Sequence, residues 1–330
     1  MQRTILITGA TGFVGAAVVR RLLEAGDGVK ALVRKNGDLR NLDGLKLELV
    51  YGDLRDKDSL RIAMKGCQRL YHVAAYYSLW TPDARILYEC NVDGTQNILE
   101  VAKELELEKI VYTSTVGAIG IPKEGGPGNE ETPVALDKII GHYKRSKYLA
   151  EQVALRMARQ GLPVVIVNPS APIGPRDIKP TPTGKMIVDF LKGFMIAYID
   201  TGMNLVDVDD VAAGHLLAAE KGRIGEKYIL GHRNMTLKEI SDLMSRISGV
   251  PAPKFKIPRE AVLPFAYINQ WISDYITKKP PLIPLDGVRM AKEYMHYDST
   301  KAIKELGLPQ TPIEIAMEKA IRWFKDHDYV

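Results

Sequence analysis

Cysteine is scarce in this sequence, which has only Cys67 and Cys90 in 330 residues. Two thiols cannot form a disulfide framework, and neither belongs to a C-x-x-C pair. Long apolar runs are also missing, since no stretch approaches the roughly 18 apolar residues that span a bilayer. The first residues lack the basic start and apolar core of a signal peptide. The sequence therefore predicts a reduced protein of the cytoplasm.

Charge of one sign is not concentrated either. The formal net charge is +5, and the basic residues are dispersed along the chain, which argues against a nucleic-acid partner. Hydrophobic residues make up 46% of the chain, enough for an ordinary core. We expect a small-molecule substrate and leave open whether the chain forms a homodimer.

What the sequence does contain is an alternation of short apolar runs and helical patterns. The β-branched runs are typical of parallel strands buried on both faces, and they lie at residues 4–8, 29–33, 47–50, 70–74, 110–113 and 164–167. Amphipathic helices are predicted at 13–25, 85–106 and 143–160. This order predicts an α/β fold with a Rossmann-type, doubly wound parallel sheet.

After residue 168 the pattern changes. Proline and glycine become dense over 169–184, and the rest is mostly helical with a few short strands such as 227–230. We predict a dinucleotide-binding domain with the catalytic residues over 1–170. A smaller, mostly helical substrate-binding region over 171–330 is expected to be interleaved with the sheet.

Three glycines separate the first strand from the first helix in a G-x-x-G-x-x-G motif. Such glycines allow a tight turn, a close approach to a pyrophosphate and tight helix–sheet packing, while the helix start presents free N–H groups to the anion. A purely structural turn is the alternative, but the position favours dinucleotide binding. The expected cofactor-binding residues are Gly9, Thr11, Gly12, Phe13, Val14 and Gly15.

The second strand ends in Arg34 and Lys35, where an NAD site usually has an acidic residue for the ribose 2′-OH. A guanidinium suits a 2′-phosphate because it donates in a fork. NADP is therefore the expected cofactor and NAD the alternative, unless both residues are simply solvated cations. Asp53 and Leu54 come after the third strand and are expected to contact the cofactor. Asp53 would meet the adenine amino group, unless it only forms a turn.

Tyr143 and Lys147 are four residues apart and share one face of a predicted helix. An ammonium near a phenol lowers the phenol pKa from about 10, and such a tyrosine exchanges protons with a carbonyl or alkoxide oxygen. The same Y-x-x-x-K spacing recurs at Tyr275 and Tyr297. No parallel strand precedes those two, so we interpret them as chance matches.

Hydroxyl side chains follow the strand at 110–113, in the run Thr113-Ser114-Thr115. The carboxyl edge of a parallel sheet faces the ligand crevice. Thr115 is therefore expected to donate to the developing oxyanion beside Tyr143, and Thr113 to lie beside the cofactor. For each hydroxyl, a hydrogen bond to backbone is the structural alternative.

Several motifs occur in the order found in one family: T-G-A-T-G-F-V-G, H-V-A-A, N-V-D-G-T, T-S-T-V-G, Y-K-R-S-K, N-P-S-A-P-I-G-P-R-D and L-V-D-V-D-D-V-A. Over nearly the whole chain they resemble the extended short-chain dehydrogenase/reductase superfamily, and within it the dihydroflavonol-4-reductase-like branch. Residues 179–184 and 285–290 look most like those of the bacterial hopanoid-associated sugar epimerases.

This resemblance implies an enzyme and assigns roles by position. Asn91 would support the catalytic residues, Thr115 would be the catalytic hydroxyl and Tyr143 the acid–base. Lys147 would bond the nicotinamide ribose and hold the tyrosine ionised. The resemblance also implies cofactor contacts from Val73, Ala74, Ala75, Pro169 and Ser170, and it implies no metal. The acidic run Asp207, Asp209 and Asp210 is predicted to cap a helix.

Three functions stay open. The leading one is NADPH-dependent reduction of a ketone or aldehyde, because Arg34 favours the phosphorylated cofactor. The second is epimerisation or dehydration of a nucleotide sugar. For that reaction Arg176 is a candidate phosphate contact, but Asn204 stands where such enzymes often place a diphosphate-binding arginine. The third is a non-catalytic cofactor sensor, which the presence of both Thr115 and Tyr143 disfavours.

Residues 261–276 contain many large apolar side chains and few charges. A packed helix of the C-terminal region is the favoured interpretation. A lid over an apolar substrate and an interfacial helix that touches a membrane are the alternatives.

Overall fold

The chain alternates strands and helices, and the computed structural model describes residues 3–122 and 124–330. Its strands are Thr4–Thr8 (β1), Gly28–Val33 (β2), Glu48–Tyr51 (β3), Arg69–His72 (β4), Lys109–Thr113 (β5), Val164–Pro169 (β6), Ala171–Ile173 (β7), Ala197–Tyr198 (β8), Gly202–Asp207 (β9), Lys227–Leu230 (β10), Arg233–Thr236 (β11) and Phe255–Lys256 (β12). Its α-helices are Phe13–Glu24 (α1), Lys57–Met64 (α2), Arg85–Tyr88 (α3), Gly94–Glu104 (α4), His142–Arg159 (α5), Pro182–Leu191 (α6), Val208–Lys221 (α7), Leu237–Ser248 (α8), Arg259–Ile272 (α9), Leu285–Met290 (α10) and Ile313–Asp326 (α11).

The large sheet has seven parallel strands in the order β10-β6-β5-β4-β1-β2-β3. The order reverses between β1 and β4, which opens a crevice at the carboxyl ends of these strands. Helices α1 and α7 cover one face, and α2, α4 and α5 cover the other. The predicted Rossmann-type, doubly wound sheet is thereby confirmed.

Side chains of the central strands alternate between the two cores. In β1, Ile5 and Ile7 join the core beneath α1 and α7, whereas Leu6 joins the core on the opposite face. In β6, Val165 and Ile166 are divided in the same way. Because both faces are buried, nearly every position of these strands is apolar, which is the pattern that predicted them.

A smaller unit begins directly after β6. Its three-stranded sheet, in the order β11-β9-β7, packs against α6, α8 and α11. The chain returns to the large sheet in between, because α7 packs on α1 and β10 pairs with the edge of β6. Elements of the C-terminal part thus pack on the large sheet, and the predicted division into two domains at residue 170 stays a prediction.

The acidic run at the start of α7 links the two units. Asp207 caps α7 by accepting a hydrogen bond from the Asp209 N–H, as predicted. Lys319 of α11 pairs with both carboxylates at 3.0 and 3.2 Å, and Asp210 accepts from the backbone and hydroxyl of Thr311. All three carboxylates thus have partners within the protein.

The helix predicted over 85–106 is interrupted by a π-helical turn. This turn, Glu89–Asp93, lies between α3 and α4 and contains Asn91. The apolar spacing continues through it, so the sequence pattern does not reveal it. Turns of this kind are frequent at functional sites.

The segment 261–276 forms most of α9 and of the π-helical turn after it. Its small side chains, such as Ala266, pack beside α10, whereas its large ones, such as Phe265 and Trp271, are exposed. The packed-helix prediction is therefore right for one face only, because periodicity shows a helix but not what covers it. Among the described residues, no helix has the length and apolar character needed to cross a membrane.

Candidate active site

The loop between β1 and α1 has no room for side chains. A Cβ on Gly9, whose φ is +73°, would lie 2.6 Å from the Ala74 backbone nitrogen, and a Cβ on Gly15 would lie 2.0 Å from the Gly9 carbonyl oxygen. Helix α1 starts at Gly12 with no side-chain cap and no acidic residue in its first turn. Its first N–H groups are therefore left for an anion, as a pyrophosphate site requires.

A buried hydrogen-bond chain holds the segment after β4 against this loop. Thr8 Oγ1 accepts from the Ala74 N–H at 3.1 Å and lies 2.7 Å from His72 Nδ1. His72 Nε2 is 3.1 Å from Thr95 Oγ1, which donates to the Asn91 carbonyl at 2.6 Å. The segment of Val73, Ala74 and Ala75, which is predicted to contact the cofactor, therefore begins beside the glycine loop.

The direction of this chain follows from its ends. Since Thr95 donates to a carbonyl, His72 Nε2 is the protonated nitrogen, and Nδ1 accepts from the Thr8 hydroxyl. Burial, together with the charge of Lys147, lowers the pKa of His72 to about 3. His72 is therefore neutral and acts as a fixed link between the glycine loop and the π-helical turn.

Arg34 and Lys35 are exposed at the end of β2, and neither side chain has a hydrogen bond or ion pair with any residue in the described ranges. Arg40, in the loop that follows, is instead held by Asp38, with nitrogen–oxygen distances of 3.0 and 2.7 Å. The Arg34 guanidinium thus remains available to a phosphate, and its contact with a cofactor stays a prediction.

Asp53 is occupied by a neighbour. Its two carboxylate oxygens accept from the Arg55 guanidinium at 2.9 Å each, and these hydrogen bonds lower the pKa of Asp53 to about 2. The Leu54 carbonyl accepts from Asn97 at 2.9 Å. These contacts show Asp53 as a turn residue, whereas its contact with the adenine stays a prediction.

Tyr143 lies in the first turn of α5 with its ring edge-on to Tyr77, the centroids 4.4 Å apart. Its hydroxyl forms no hydrogen bond with any described residue. Burial, with a smaller effect of Tyr77, raises the pKa of Tyr143 above its ordinary value. The sequence predicted the opposite direction, on the assumption that the neighbouring lysine would stabilise the phenolate.

Lys147 is held elsewhere, which explains this difference. Its ammonium donates to the Tyr112 hydroxyl at 3.0 Å and to the Thr113 carbonyl at 2.7 Å. Burial lowers the pKa of Lys147 to about 7, against the opposing effect of Glu151. The charge of Lys147 therefore does not offset the effect of burial on the pKa of Tyr143 in this structure.

The three strand-end hydroxyls have different environments. Thr113 Oγ1 lies 2.9 Å from His215 Nε2 in the core, whereas the Ser114 hydroxyl is buried without a partner among the described residues. Thr115 Oγ1 accepts from the Gly117 N–H at 3.1 Å, so its proton is free to be donated. A Cβ on Gly117 would lie 3.1 Å from the Lys144 side chain, which places this turn against the first turn of α5.

Asn91 joins the π-helical turn to both sides of the site. Its Oδ1 accepts from the Tyr76 N–H at 2.7 Å, and its Nδ2 donates to the Tyr76 carbonyl and to Ser146 Oγ at 3.1 and 2.9 Å. It therefore fixes the segment before Tyr77 relative to α5. Its role in supporting the catalytic residues stays a prediction.

The end of β6 carries polar atoms that lack partners. Ser170 donates its N–H to the Leu230 carbonyl directly after Pro169. Ser170 Oγ and Asn168 Oδ1 are buried with no hydrogen-bond partner in the described parts of the chain. Leaving such a group unpaired costs about 1–3 kcal/mol, so these atoms suit a polar ligand at the carboxyl edge.

Together these features fit a nicotinamide dinucleotide. The glycine loop admits a close backbone approach, the start of α1 accepts an anion, and Arg34 is unpaired. Unsatisfied polar atoms lie at the ends of β5 and β6, and the nicotinamide contact of this edge stays a prediction. No group of side chains suited to hold a metal lies within residues 3–122 and 124–330.

Arg176, the candidate phosphate contact, and Asn204, which stands in place of a diphosphate-binding arginine, have different environments. Asn204 is buried with its amide in use: Nδ2 donates to Asn234 and to the Tyr297 carbonyl, and Oδ1 accepts from the His232 N–H. Arg176 is exposed, has a φ of +71° and has no side-chain partner among the described residues. Only the arginine is therefore available to a phosphate.

Sequence reasoning missed Tyr77, Tyr112 and His72 as parts of the site. His72 and Tyr112 are register partners on β4 and β5, with ring centroids 5.6 Å apart. For His72 and Tyr112, the signal in the sequence was a polar ring near the end of an otherwise apolar strand. Of the two other Y-x-x-x-K tyrosines, Tyr275 is exposed on the surface and Tyr297 packs at Gly128. Their interpretation as chance matches stays a prediction.

The fold and the site define a nicotinamide-dependent dehydrogenase/reductase of the extended short-chain type. The family model described as "NAD dependent epimerase/dehydratase family" matches residues 5–231, and the chain belongs to this family. The predicted superfamily and enzyme class are thereby confirmed.

Relatives match over the full length. "Putative dihydroflavonol 4-reductase" of Synechocystis sp. is 50% identical, covering 100% of this chain and 97% of that protein. "Sterol demethylase protein B" of Methylococcus capsulatus is 35% identical, covering 99% and 100%. The crystal structure of gox2253 is 47% identical with a TM-score of 0.89, covering 100% of each chain. The finer likeness to hopanoid-associated epimerases stays a prediction.

Proposed function

We propose that this chain is an NADPH-dependent reductase of a ketone or aldehyde. The observation that carries the proposal is that two hydroxyl groups at the site have protons available for donation. The Tyr143 hydroxyl has no hydrogen bond with a described residue, and Thr115 uses only its acceptor side. Two O–H donors on packed neighbouring turns suit the two lone pairs of one carbonyl oxygen.

The cofactor, when bound, supplies the hydride to the carbonyl carbon. Tyr143 donates its proton to the carbonyl oxygen, and Thr115 stabilises the developing negative charge. Because burial raises the pKa of Tyr143, the phenol is protonated at neutral pH. A proton donor suits reduction, whereas the cycle of an epimerase begins with removal of a proton from an alcohol.

Cofactor choice rests on Arg34. Its guanidinium is unpaired at the end of β2, where the ribose 2′ position of a bound dinucleotide lies in this fold. A charge-assisted fork to a 2′-phosphate adds affinity for NADPH that NADH does not gain. The reductase name of the relative from Synechocystis sp. also supports carbonyl reduction.

Epimerisation or dehydration of a nucleotide sugar is the second candidate. The unpaired Arg176 favours it, because an exposed guanidinium suits a diphosphate. The buried and fully hydrogen-bonded Asn204 argues against it, since no cation stands at that position.

The two candidates differ in the fate of the cofactor. Ketones, aldehydes and nucleotide sugars are incubated with NADPH while product and the reduced-nicotinamide absorbance are followed together. We expect one equivalent of NADPH to be consumed per product formed, and none with the Tyr143→Phe variant. Interconversion of two nucleotide-sugar epimers without net loss of that absorbance would establish the epimerase instead.

A further inference from the structure

Helix α9 and the turn after it carry an apolar surface on the outside of the molecule. Phe265, Ile268 and Trp271 are 67%, 59% and 56% exposed, and Tyr275 and Ile276 are 70% and 62% exposed. Their spacing places them on one side of the helix. These five residues are called the α9 apolar face below.

The opposite side of α9 fixes the helix to the protein. Val262, Leu263 and Ala266 pack with Leu285 and Val288 of α10. The aliphatic side chains of this side are thus turned inward, and the aromatic ones face outward. Contiguous exposed apolar surface of this kind marks an interaction site.

The segment that carries this face is basic. Residues 254–284 contain five basic and two acidic side chains, which accounts for three of the five net positive charges of the chain. The ammonium groups of Lys254 and Lys279 have no partner among the described residues. An aromatic face on a basic segment is typical of helices that lie in the head-group region of an anionic bilayer.

The turn after α9 and helix α10 connect this region to the candidate active site. Trp80 donates its indole N–H to Asp274, in the turn after α9, at 2.6 Å, and Tyr77 of the same loop packs on Tyr143. On the other side, a Cβ on Gly141 would lie 2.7 Å from the Asp286 carboxylate of α10. The first contact leads through the loop of Tyr77 to Tyr143, and the second places α10 beside the residue that precedes α5.

We propose that the α9 apolar face docks on the surface of a lipid bilayer with anionic head groups, which places the mouth of the active site at that surface. The aromatic side chains enter the head-group region, and Lys278 and Lys279 pair with lipid phosphates. A second copy of this chain fits less well, because a symmetric contact would bring two basic segments together.

The test uses the full-length protein and vesicles of phosphatidylcholine alone or mixed with phosphatidylglycerol. We expect co-sedimentation with the mixed vesicles, a blue shift of tryptophan fluorescence from Trp271, and loss of binding at high salt. The Phe265→Ser/Ile268→Ser and Lys278→Glu/Lys279→Glu variants should each bind roughly tenfold or more weakly. Circular dichroism and the thermal transition verify that both variants are folded.

The matched control is the Ile62→Ser/Ile224→Ser variant, because these isoleucines are also exposed, at 76% and 54%, but lie outside α9. It should bind as the wild type does. Absence of wild-type co-sedimentation, or equal binding by all variants, would overturn the proposal. A wild-type dimer that Phe265→Ser/Ile268→Ser converts to a monomer in light scattering would also overturn it, since a second copy would then cover this face.

Discussion

The ammonium nitrogen of Lys147 lies 3.0 Å from the hydroxyl oxygen of Tyr112 on β5, the strand that faces α5. Both side chains are buried, and a buried ammonium depends on the acceptors around it. Tyr112 is therefore a positioning residue for Lys147, and through it the sheet, rather than Tyr143, holds the lysine in this structure.

Replacing Tyr112 by phenylalanine removes one of the two acceptors of the Lys147 ammonium. We expect the free energy of unfolding to fall by about 1–3 kcal/mol, the cost of a buried polar group that loses a partner. Guanidinium denaturation measures it. Tyr51→Phe is the control. That side chain is 53% exposed, so the loss of its hydroxyl should leave the free energy of unfolding unchanged. Equal stability of the two variants would contradict the role given to Tyr112.

The Tyr143→Phe variant should keep the fold and the cofactor affinity but lose turnover, because only the proton donor is removed. Thr115→Val should retain more activity, with a loss of about 2.7–4 kcal/mol in transition-state stabilisation, the value of one oxyanion donor. Steady-state kinetics with a substrate found in the panel assay measures both. Tyr275→Phe, on the exposed surface, is the control. Near-normal turnover of Tyr143→Phe would refute the mechanism.

The sheet and the residues at its carboxyl edge were predictable because burial on both faces leaves a continuous apolar run. The run at 164–167 is an example, and it ends at the site. The partner of Lys147 was not predictable. Tyr112 is distant in sequence and on another element, and four-residue spacing places Tyr143 and Lys147 on one helical face without fixing where an ammonium points.

Two further differences have the same origin. The apolar spacing over 85–106 continues through the π-helical turn that contains Asn91, so the pattern of side chains conceals a change in backbone hydrogen bonding. In the same way, the pattern of α9 shows an amphipathic helix but not that its larger side chains face outward. Local periodicity predicts the secondary-structure element, whereas tertiary contacts determine which of its side chains are buried or exposed.

Cofactor preference should depend on Arg34. A charge-assisted hydrogen bond contributes about 1.5–3 kcal/mol, so Arg34→Ala should weaken NADPH binding roughly ten- to a hundredfold and leave NADH binding nearly unchanged. Fluorescence titration with both cofactors measures this. Arg159→Ala is the matched control, because that arginine is also exposed and unpaired among the described residues but lies about 24 Å along α5 from Tyr143. Equal affinity of the wild type for NADH and NADPH would refute the assignment.

Asp177 is a buried carboxyl near the start of the C-terminal unit. Its Oδ2 accepts from the Thr181 N–H and hydroxyl at 2.8 and 2.7 Å, while Oδ1 has no partner among the described residues. Burial raises the pKa of Asp177 to about 6, against the hydrogen bonds from Thr181. The folded protein therefore keeps this proton at a pH where the unfolded chain, with a pKa of about 3.9, has lost it.

Asp177 should make the protein less stable as the pH rises. Below about pH 4 both states carry the proton, and between about pH 4 and 6 only the unfolded state loses it. The free energy of unfolding therefore falls by roughly 2–3 kcal/mol and then stays level. Denaturant titrations at low and neutral pH should show Asp177→Asn gaining this amount over the wild type on going to neutral pH. Asp137→Asn, at an exposed position, should show no such gain. A wild-type-to-variant difference independent of pH would mean that the Asp177 carboxyl has an ordinary pKa in the folded protein.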